Sequence, residues 1–129
     1  MILAYMVWLK INEVFENYYQ ENLKLYPLNA TRQGDIRYND FLPNNLTDEF
    51  RNKEKIYYLN YVNQLNKFDD NKLNEDDKLS KKVMLWECTR NLERLDFNEH
   101  LTPINQMWTL QLDIGQFAAG LSAQPFKTI

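Results

Sequence analysis

The stretch LTDEFRNKEKIYYLNYVNQLNKF, from Leu46 to Phe68, is the most informative for the fold class. Its large apolar side chains recur at steps of three, four and seven residues, which places them on one face of a helix. They are Phe50, Tyr57, Tyr58, Tyr61, Val62, Leu65 and Phe68. Thr47 is a residue type that caps helices, and Asp48 and Glu49 place negative charge in the first turn. The stretch therefore predicts an amphipathic helix that begins just after Thr47.

Two more amphipathic segments flank this helix. The N-terminal one carries apolar residues at helical spacing and should end near Pro27, because proline disfavours helical geometry in the residue before it. Its apolar positions are Val7, Ile11, Val14, Phe15, Tyr18, Tyr19, Leu25 and Tyr26. The C-terminal one should be capped by Asn74, and its apolar residues form two overlapping stripes, which predicts contact on two sides. The stripes are Leu79, Val83 and Trp86, and then Leu85, Cys88, Leu92 and Leu95.

The segment after Phe97 is almost uncharged and has no clean period. The alternation from Trp108 to Leu112 is typical of a short strand, whereas residues Ile114 to Leu121 fit a short helix. We favour an irregular, buried connector followed by a helix. The predicted fold is all-α, with three main antiparallel helices, an irregular connector and a short C-terminal helix, in one domain over residues 1–129.

Composition narrows the possible functions. The chain has 129 residues, 44% of them hydrophobic, which is enough for one domain with a core. The formal net charge is −3, and lysine and arginine are scattered among the acids, so we predict no nucleic-acid partner. The apolar N-terminus, from Met1 to Leu9, is much shorter than the ~20 residues of a membrane span, and we predict none.

The chain lacks the residues of a complete catalytic centre. An H-E-x-x-H zinc site needs two histidines one helical turn apart, and His100 is the single histidine. Cys88 lies on an apolar stripe, where cysteine behaves as a small hydrophobic residue. The acidic run from Asp69 to Asp77 lacks the glycine and the closing glutamate of a calcium loop, which favours a solvated turn between helices. We therefore predict no catalytic residue, no metal ligand and no cofactor in this chain.

The connector TRQGDIRYNDFLP, from Thr31 to Pro43, is the densest group of polar residues. Gly34 should supply a turn with positive φ, and the side chains of Asp35 and Asn39 can accept hydrogen bonds from nearby backbone N–H groups. The favoured interpretation is a tight structural corner. The alternative is that Arg37, Tyr38 and Asn39 face a cleft and hold a peptide carboxylate or carbonyl, since a guanidinium binds carboxylates through two hydrogen bonds.

An ordered series of short motifs supports a family resemblance. It comprises Val14–Tyr19, Pro27–Thr31, Gly34–Asp40 with Leu42–Pro43, Asp76–Leu79, Pro103–Gln106, Leu110–Leu112 and Pro125–Thr128. With these motifs the chain, from about Ile11 onward, resembles the start of the bacterial family known as domain of unknown function 885. Trp108 and Gly115 depart from the usual pattern. Members of that family are longer, mainly helical, and similar to zinc metallopeptidases with a downstream H-E-x-x-H helix.

The resemblance implies that residues 1–129 are the N-terminal portion of a longer, peptidase-like helical domain. The expected function is then a non-catalytic wall of a peptide-binding cleft, with Arg37, Tyr38 and Asn39 contacting substrate and zinc held only in a longer relative. The expected partner is the remainder of that protein or a second copy, in a soluble protein of the bacterial cytoplasm or cell envelope. The alternative is a free-standing helical interaction module without enzymatic activity. A docking region should expose an apolar patch, whereas a self-contained module should close its core.

Overall fold

The computed structural model of the chain describes residues 2–98, Leu101 and residues 110–120, and within them it is all-α. Five helices follow in order: α1 is Ile2–Leu25, α2 is Pro27–Arg32, α3 is Asp48–Leu65, α4 is Glu75–Leu95 and α5 is Leu110–Ala118. Short 3-10 turns occupy Ile36–Tyr38 and Asp70–Lys72. No strand occurs among the described residues. The predicted all-α class with three main helices is confirmed.

The helix starts agree with the predicted capping residues. The Thr47 hydroxyl accepts a hydrogen bond from the backbone N–H of Phe50 (3.2 Å), and the Asn74 side chain accepts one from Asp77 (2.7 Å). Each bond satisfies one of the backbone donors that a helix leaves unpaired in its first turn. Helix α1 ends at Leu25, as expected from Pro27. The short helix α2 was not predicted; Pro27 occupies its first turn, where a missing N–H costs nothing.

The alternative of a short strand from Trp108 to Leu112 does not hold where it can be compared, because Leu110 to Leu112 open helix α5. Leu110, Ile114 and Phe117 are spaced by four and three residues, and this longer helical period outweighs an alternation of five residues. The predicted C-terminal helix is confirmed, although it begins four residues earlier than expected. Most of the predicted buried connector after Phe97, including Trp108, lies outside the described residues, as does Leu121, and the described Phe97 and Leu101 are exposed.

The chain divides into two compact units. Unit 1 comprises Met1–Glu21 and Arg51–Phe97, and unit 2 comprises Asn22–Phe50 and Asn98–Ile129. This division does not test the prediction of a single domain, which stays a prediction. Among the described helices, none is both long and apolar enough to cross a membrane.

Unit 1 is built around tyrosines and one thiol. The Tyr18 ring stacks on Tyr57 with ring centroids 5.3 Å apart and meets the edge of Tyr61 at 5.1 Å. The Tyr57 hydroxyl donates a 2.8 Å hydrogen bond to the backbone carbonyl of Tyr18. Other buried apolar members are Ile11, Val14, Tyr58, Leu65, Leu73, Met84, Cys88 and Leu95. Tyrosine suits this core because its ring supplies apolar area while its hydroxyl can reach a polar group.

Polar contacts in unit 1 show that α3 and α4 are antiparallel. At one end the Arg51 guanidinium donates to the backbone carbonyls of Leu95 (2.5 Å) and Phe97 (3.1 Å) at the C-terminus of α4. At the other end the buried Lys81 ammonium donates to the carbonyl of Phe68 and to Asp70, both at 2.6 Å. The start of α3 thus lies beside the end of α4, and the turn that follows α3 lies beside the first half of α4.

The two stripes of α4 have different environments. In the second stripe Cys88 and Leu95 are buried and Leu85 and Leu92 are half-buried, and the neighbouring Met84 is buried as well. By contrast, Leu79, Val83 and Trp86 are 63%, 55% and 66% exposed. Leu79 and Val83 nevertheless line a groove together with Phe15 and Tyr18 of α1, so the predicted contact on the second side of α4 is partial. Periodicity identifies an apolar stripe, but it does not say whether another element of the same chain covers it.

Candidate functional site

The corner after α2 is built from local hydrogen bonds. Gly34 has φ +86°, which is the predicted positive-φ position, and its N–H donates to the carbonyl of Thr31 (3.0 Å). The next N–H, that of Asp35, donates to the carbonyl of Ala30 (2.9 Å). These bonds satisfy carbonyls that the end of α2 would leave unpaired, and the left-handed glycine makes the reversal possible.

Asp35 organises the residues after the corner. Its carboxylate accepts a hydrogen bond from the backbone N–H of Arg37 (3.0 Å), which starts the 3-10 turn Ile36–Tyr38. The same carboxylate pairs with the Arg37 side chain, with Nη2 to Oδ2 at 2.6 Å and Nε to Oδ1 at 3.0 Å. These bonds lower the pKa of Asp35 below its usual range. The Arg37 guanidinium thus already holds a carboxylate of its own chain.

The three predicted substrate contacts lie together at this corner. The Arg37 guanidinium carbon is 5.5 Å from the centre of the Tyr38 ring, at cation–π distance. The Asn39 side-chain oxygen accepts a hydrogen bond from the Thr31 hydroxyl (2.8 Å). Arg37 and Asn39 are exposed and Tyr38 is half-buried. Each side chain has a structural contact, and their role in substrate binding stays a prediction.

Unit 2 contains a cleft of about 520 Å³. Residues that flank the corner in the sequence line part of it. Its described lining is mostly apolar, with one cation and a few amides. The apolar members include Tyr26, Leu28, Leu42, Pro43, Leu46, Phe50 and Ile114, and the polar members are Asn29, Arg32, Asn44 and Asn45. This volume and composition are typical of ligand sites, which combine an apolar surface with a few polar groups that set orientation. Arg37, Tyr38 and Asn39 are not among the described lining residues.

Arg32 is the functional candidate that the sequence analysis missed. It is exposed in the last turn of α2, and its Nη1 donates to the Asn29 side-chain oxygen at 3.1 Å. This bond orients the guanidinium at the cleft. The only sequence signal was its place one helical turn after Asn29. Because both arginines belong to the same polar connector, residue type alone could not separate Arg32 from Arg37.

The tyrosine and thiol cluster of unit 1 contains perturbed groups without an evident reaction. Burial raises the pKa of the fully buried Cys88 thiol to about 11, and the nearby Glu87 charge adds to the effect. Burial also raises the pKa of Tyr18. The Tyr18 hydroxyl is buried beside the Cys88 thiol and the Glu87 carboxylate, and within residues 2–98, 101 and 110–120 it makes no hydrogen bond of standard geometry. A thiol that is protonated at neutral pH is a poor nucleophile, so Cys88 acts here as a core residue.

The acidic run between α3 and α4 is a structural turn. Asp69 Oδ1 accepts from the N–H of Asn71 (3.0 Å), and Asn74 caps α4 as predicted. The Lys81 ammonium lowers the pKa of Asp70. Within the part of the chain that the structure describes, no three His, Cys, Asp or Glu side chains are grouped so as to hold a metal ion. His100 lies outside that part.

Comparisons of this chain with protein-family models, with curated proteins and with solved structures gave no match. The resemblance to the family of domain of unknown function 885 therefore stays a prediction. Function has to be inferred from the geometry of the two units.

Proposed function

We propose that this chain is a non-catalytic helical region whose unit 2 cleft binds a peptide. The observation that carries the proposal is the cleft itself, in which a mostly apolar lining is combined with the Arg32 guanidinium and asparagine amides. Apolar peptide side chains would lie against Leu42, Leu46 and Phe50. Arg32 would hold a carboxylate, and the amides would pair with peptide N–H and C=O groups.

Exposed apolar residues in unit 2 support a role beside further protein. Ile36 is 71% exposed, Leu42 is 63% exposed and Ile114 is 53% exposed, and Phe41, Leu101 and Leu112 are also exposed. A closed module would bury more of these side chains, because exposed apolar surface is costly in water. The family resemblance adds the hypothesis that the chain forms one wall of a zinc peptidase-like cleft. The zinc ligands would then belong to residues other than those of this chain, which has a single histidine.

The test is a binding measurement with a defined probe. A fluorescein-labelled hexapeptide that ends in Phe–Leu–Leu with a free carboxylate is compared, by fluorescence anisotropy, with the same peptide as the C-terminal amide. We expect the free acid to bind about tenfold more tightly than the amide, as expected for a charge-assisted hydrogen bond at a partly solvated site.

Two matched variants test which arginine binds the carboxylate of the peptide. In Arg32→Gln the preference for the free acid should disappear, whereas in Arg37→Gln it should remain, because Arg37 is already paired with Asp35. If Arg37→Gln abolishes the preference and Arg32→Gln does not, the binding surface is the corner rather than the cleft. If neither peptide binds, or if the NMR shifts on binding fall outside the cleft residues, which are 25–32, 42–50 and Ile114, the proposal is wrong.

A further inference from the structure

The outer face of α4 is an exposed apolar surface with a charge at each end, and Leu79 and Val83 on it also line a groove with Phe15 and Tyr18 of α1. With ~100° of rotation per residue, Asp76, Leu79, Val83, Trp86 and Arg90 fall within an arc of roughly 80°. The buried residues of α4 lie on the opposite side; they are Asp77, Lys81, Met84, Cys88 and Leu95. We call the five outer residues the α4 outer face. All five are exposed to solvent.

The order of residues along this face is self-complementary. An acid stands at one end, an arginine at the other, and three apolar side chains lie between them. Asp76 and Arg90 are each seven residues from Val83, which is ~10.5 Å along the helix axis in either direction. A two-fold axis through Val83 that reverses the helix would therefore bring each acid level with the arginine of the other copy.

We propose that the α4 outer face is a docking surface for a second copy of this chain, which packs antiparallel about Val83. In that arrangement Leu79 lies ~1.5 Å along the axis from the level of Trp86 on the other helix, so the two side chains pack together on each side of the axis. At each end of the interface, Asp76 of one copy forms an ion pair with Arg90 of the other. A parallel arrangement would instead bring like charges face to face.

The charges decide between a second copy and an unrelated partner. A two-fold dimer requires a surface that is complementary to itself, and an acid and a base at equal distances from the central valine meet this condition. Arg90 Nη1 also contacts Glu93 within the chain at 2.8 Å, and this exposed pair is worth little in water. The apolar centre is small, so the dimer is a transient one rather than an obligate one. The proposal does not depend on peptide binding in unit 2.

Sedimentation equilibrium over a concentration series tests the proposal. We expect the weight-average mass of the wild-type chain to rise with concentration toward that of two chains. Val83→Asp should remove this rise, because it places two carboxylates against each other on the axis. Val83 is more than half exposed, so the fold should persist, and the helical circular dichroism signal checks this. Leu59→Asp, on the exposed part of α3, is the matched control and should leave the association unchanged.

A charge exchange tests the antiparallel geometry. Asp76→Arg and Arg90→Asp should each weaken the association, and the double variant that carries both changes should restore it. An equimolar mixture of the two single variants should associate more strongly than either one alone. A wild-type chain that stays monomeric throughout the series would overturn the proposal, and so would association that Val83→Asp leaves intact. Failure of the double variant to recover would refute the antiparallel pairing.

Discussion

Unit 1 and unit 2 are stabilised in different ways. In unit 1 the contacts join residues far apart in sequence, such as Arg51 with Leu95 and Tyr57 with Tyr18. The corner of unit 2 is held by hydrogen bonds that span at most eight residues, the longest being that between Thr31 and Asn39. A buried, long-range core loses much free energy when one member is removed, whereas a local corner loses only the contribution of one turn. A substitution in the long-range core of unit 1 should therefore cost more stability than one in the corner of unit 2.

The largest effect should come from the centre of unit 1. Tyr61 is 1% exposed and touches both Tyr18 and Tyr57, so Tyr61→Ala leaves a cavity among aromatic rings. We expect the free energy of unfolding to fall by about 3–5 kcal/mol. Urea denaturation followed by circular dichroism measures this. The exposed Tyr19 is the matched control, and Tyr19→Ala should cost less than about 1 kcal/mol. Equal losses for both would show that the buried cluster of rings contributes no more stability than an exposed tyrosine.

A smaller effect should come from the buried Lys81 ammonium, which joins α4 to the turn after α3. Lys81→Met removes the donor to the Phe68 carbonyl and should cost about 1–3 kcal/mol in the free energy of unfolding, because that carbonyl loses its partner. Urea denaturation again measures the loss. Lys78→Met is the control, since Lys78 pairs with the exposed Glu75 one turn away and its replacement should have a much smaller effect. A loss for Lys78→Met as large as that for Lys81→Met would show that burial does not distinguish the two ammonium groups.

The ion pair between Lys81 and Asp70 makes the stability of unit 1 sensitive to acid. The pKa of Asp70 is lowered in the folded state by Lys81. Its contribution is present above the unfolded pKa of an aspartate, near 4, and is lost as the pH falls through the folded value. Denaturation midpoints measured from pH 6 down to pH 3 should fall less steeply in Lys81→Met than in the wild type. An unchanged slope would show that the pair is not formed in solution.

The corner of unit 2 should respond to backbone conformation alone. A Cβ on Gly34 meets no atom within 4 Å, so Gly34→Ala should cost about 1–2 kcal/mol only because its φ is +86°. Gly115 in α5 also has open space around an added Cβ, and Gly115→Ala should stabilise the helix by up to about 1 kcal/mol. Thermal unfolding of the two variants should therefore shift in opposite directions. Shifts of the same sign would contradict the geometry of the corner.

The smallest effect should come from the Tyr18 hydroxyl in the core of unit 1. Tyr18→Phe removes a buried hydroxyl that makes no hydrogen bond of standard geometry within the described residues, so stability should stay within about 0.5 kcal/mol of the wild type or rise. Tyr57→Phe loses the hydrogen bond to the Tyr18 carbonyl and should cost about 1 kcal/mol. Chemical denaturation of the pair measures the difference. A larger loss for Tyr18→Phe than for Tyr57→Phe would mean that the Tyr18 hydroxyl is bonded in solution.

Local signals in the sequence anticipated most elements of the fold. Caps at Thr47 and Asn74, the stop before Pro27 and the left-handed Gly34 are all confirmed, because each depends on a few neighbouring residues. The alternative of a strand near Leu110 does not hold, because an alternation over five residues is a weaker signal than helical spacing over the eight residues from Leu110 to Phe117. The candidate site was harder to predict. The sequence marked the polar connector, but it could not say which of its two arginines lines a cleft.

Short segments of the sequence determined the helical class, the positions of the caps and the absence of an H-E-x-x-H motif, since each of these is a local property. Tertiary contacts alone decided which stripe of α4 is buried and which is exposed. They also brought Arg51 to the end of α4, Lys81 to the Phe68 carbonyl and Arg32 to the cleft. Burial and long-range pairing depend on which segments meet, because periodicity identifies an amphipathic face but not the surface that covers it.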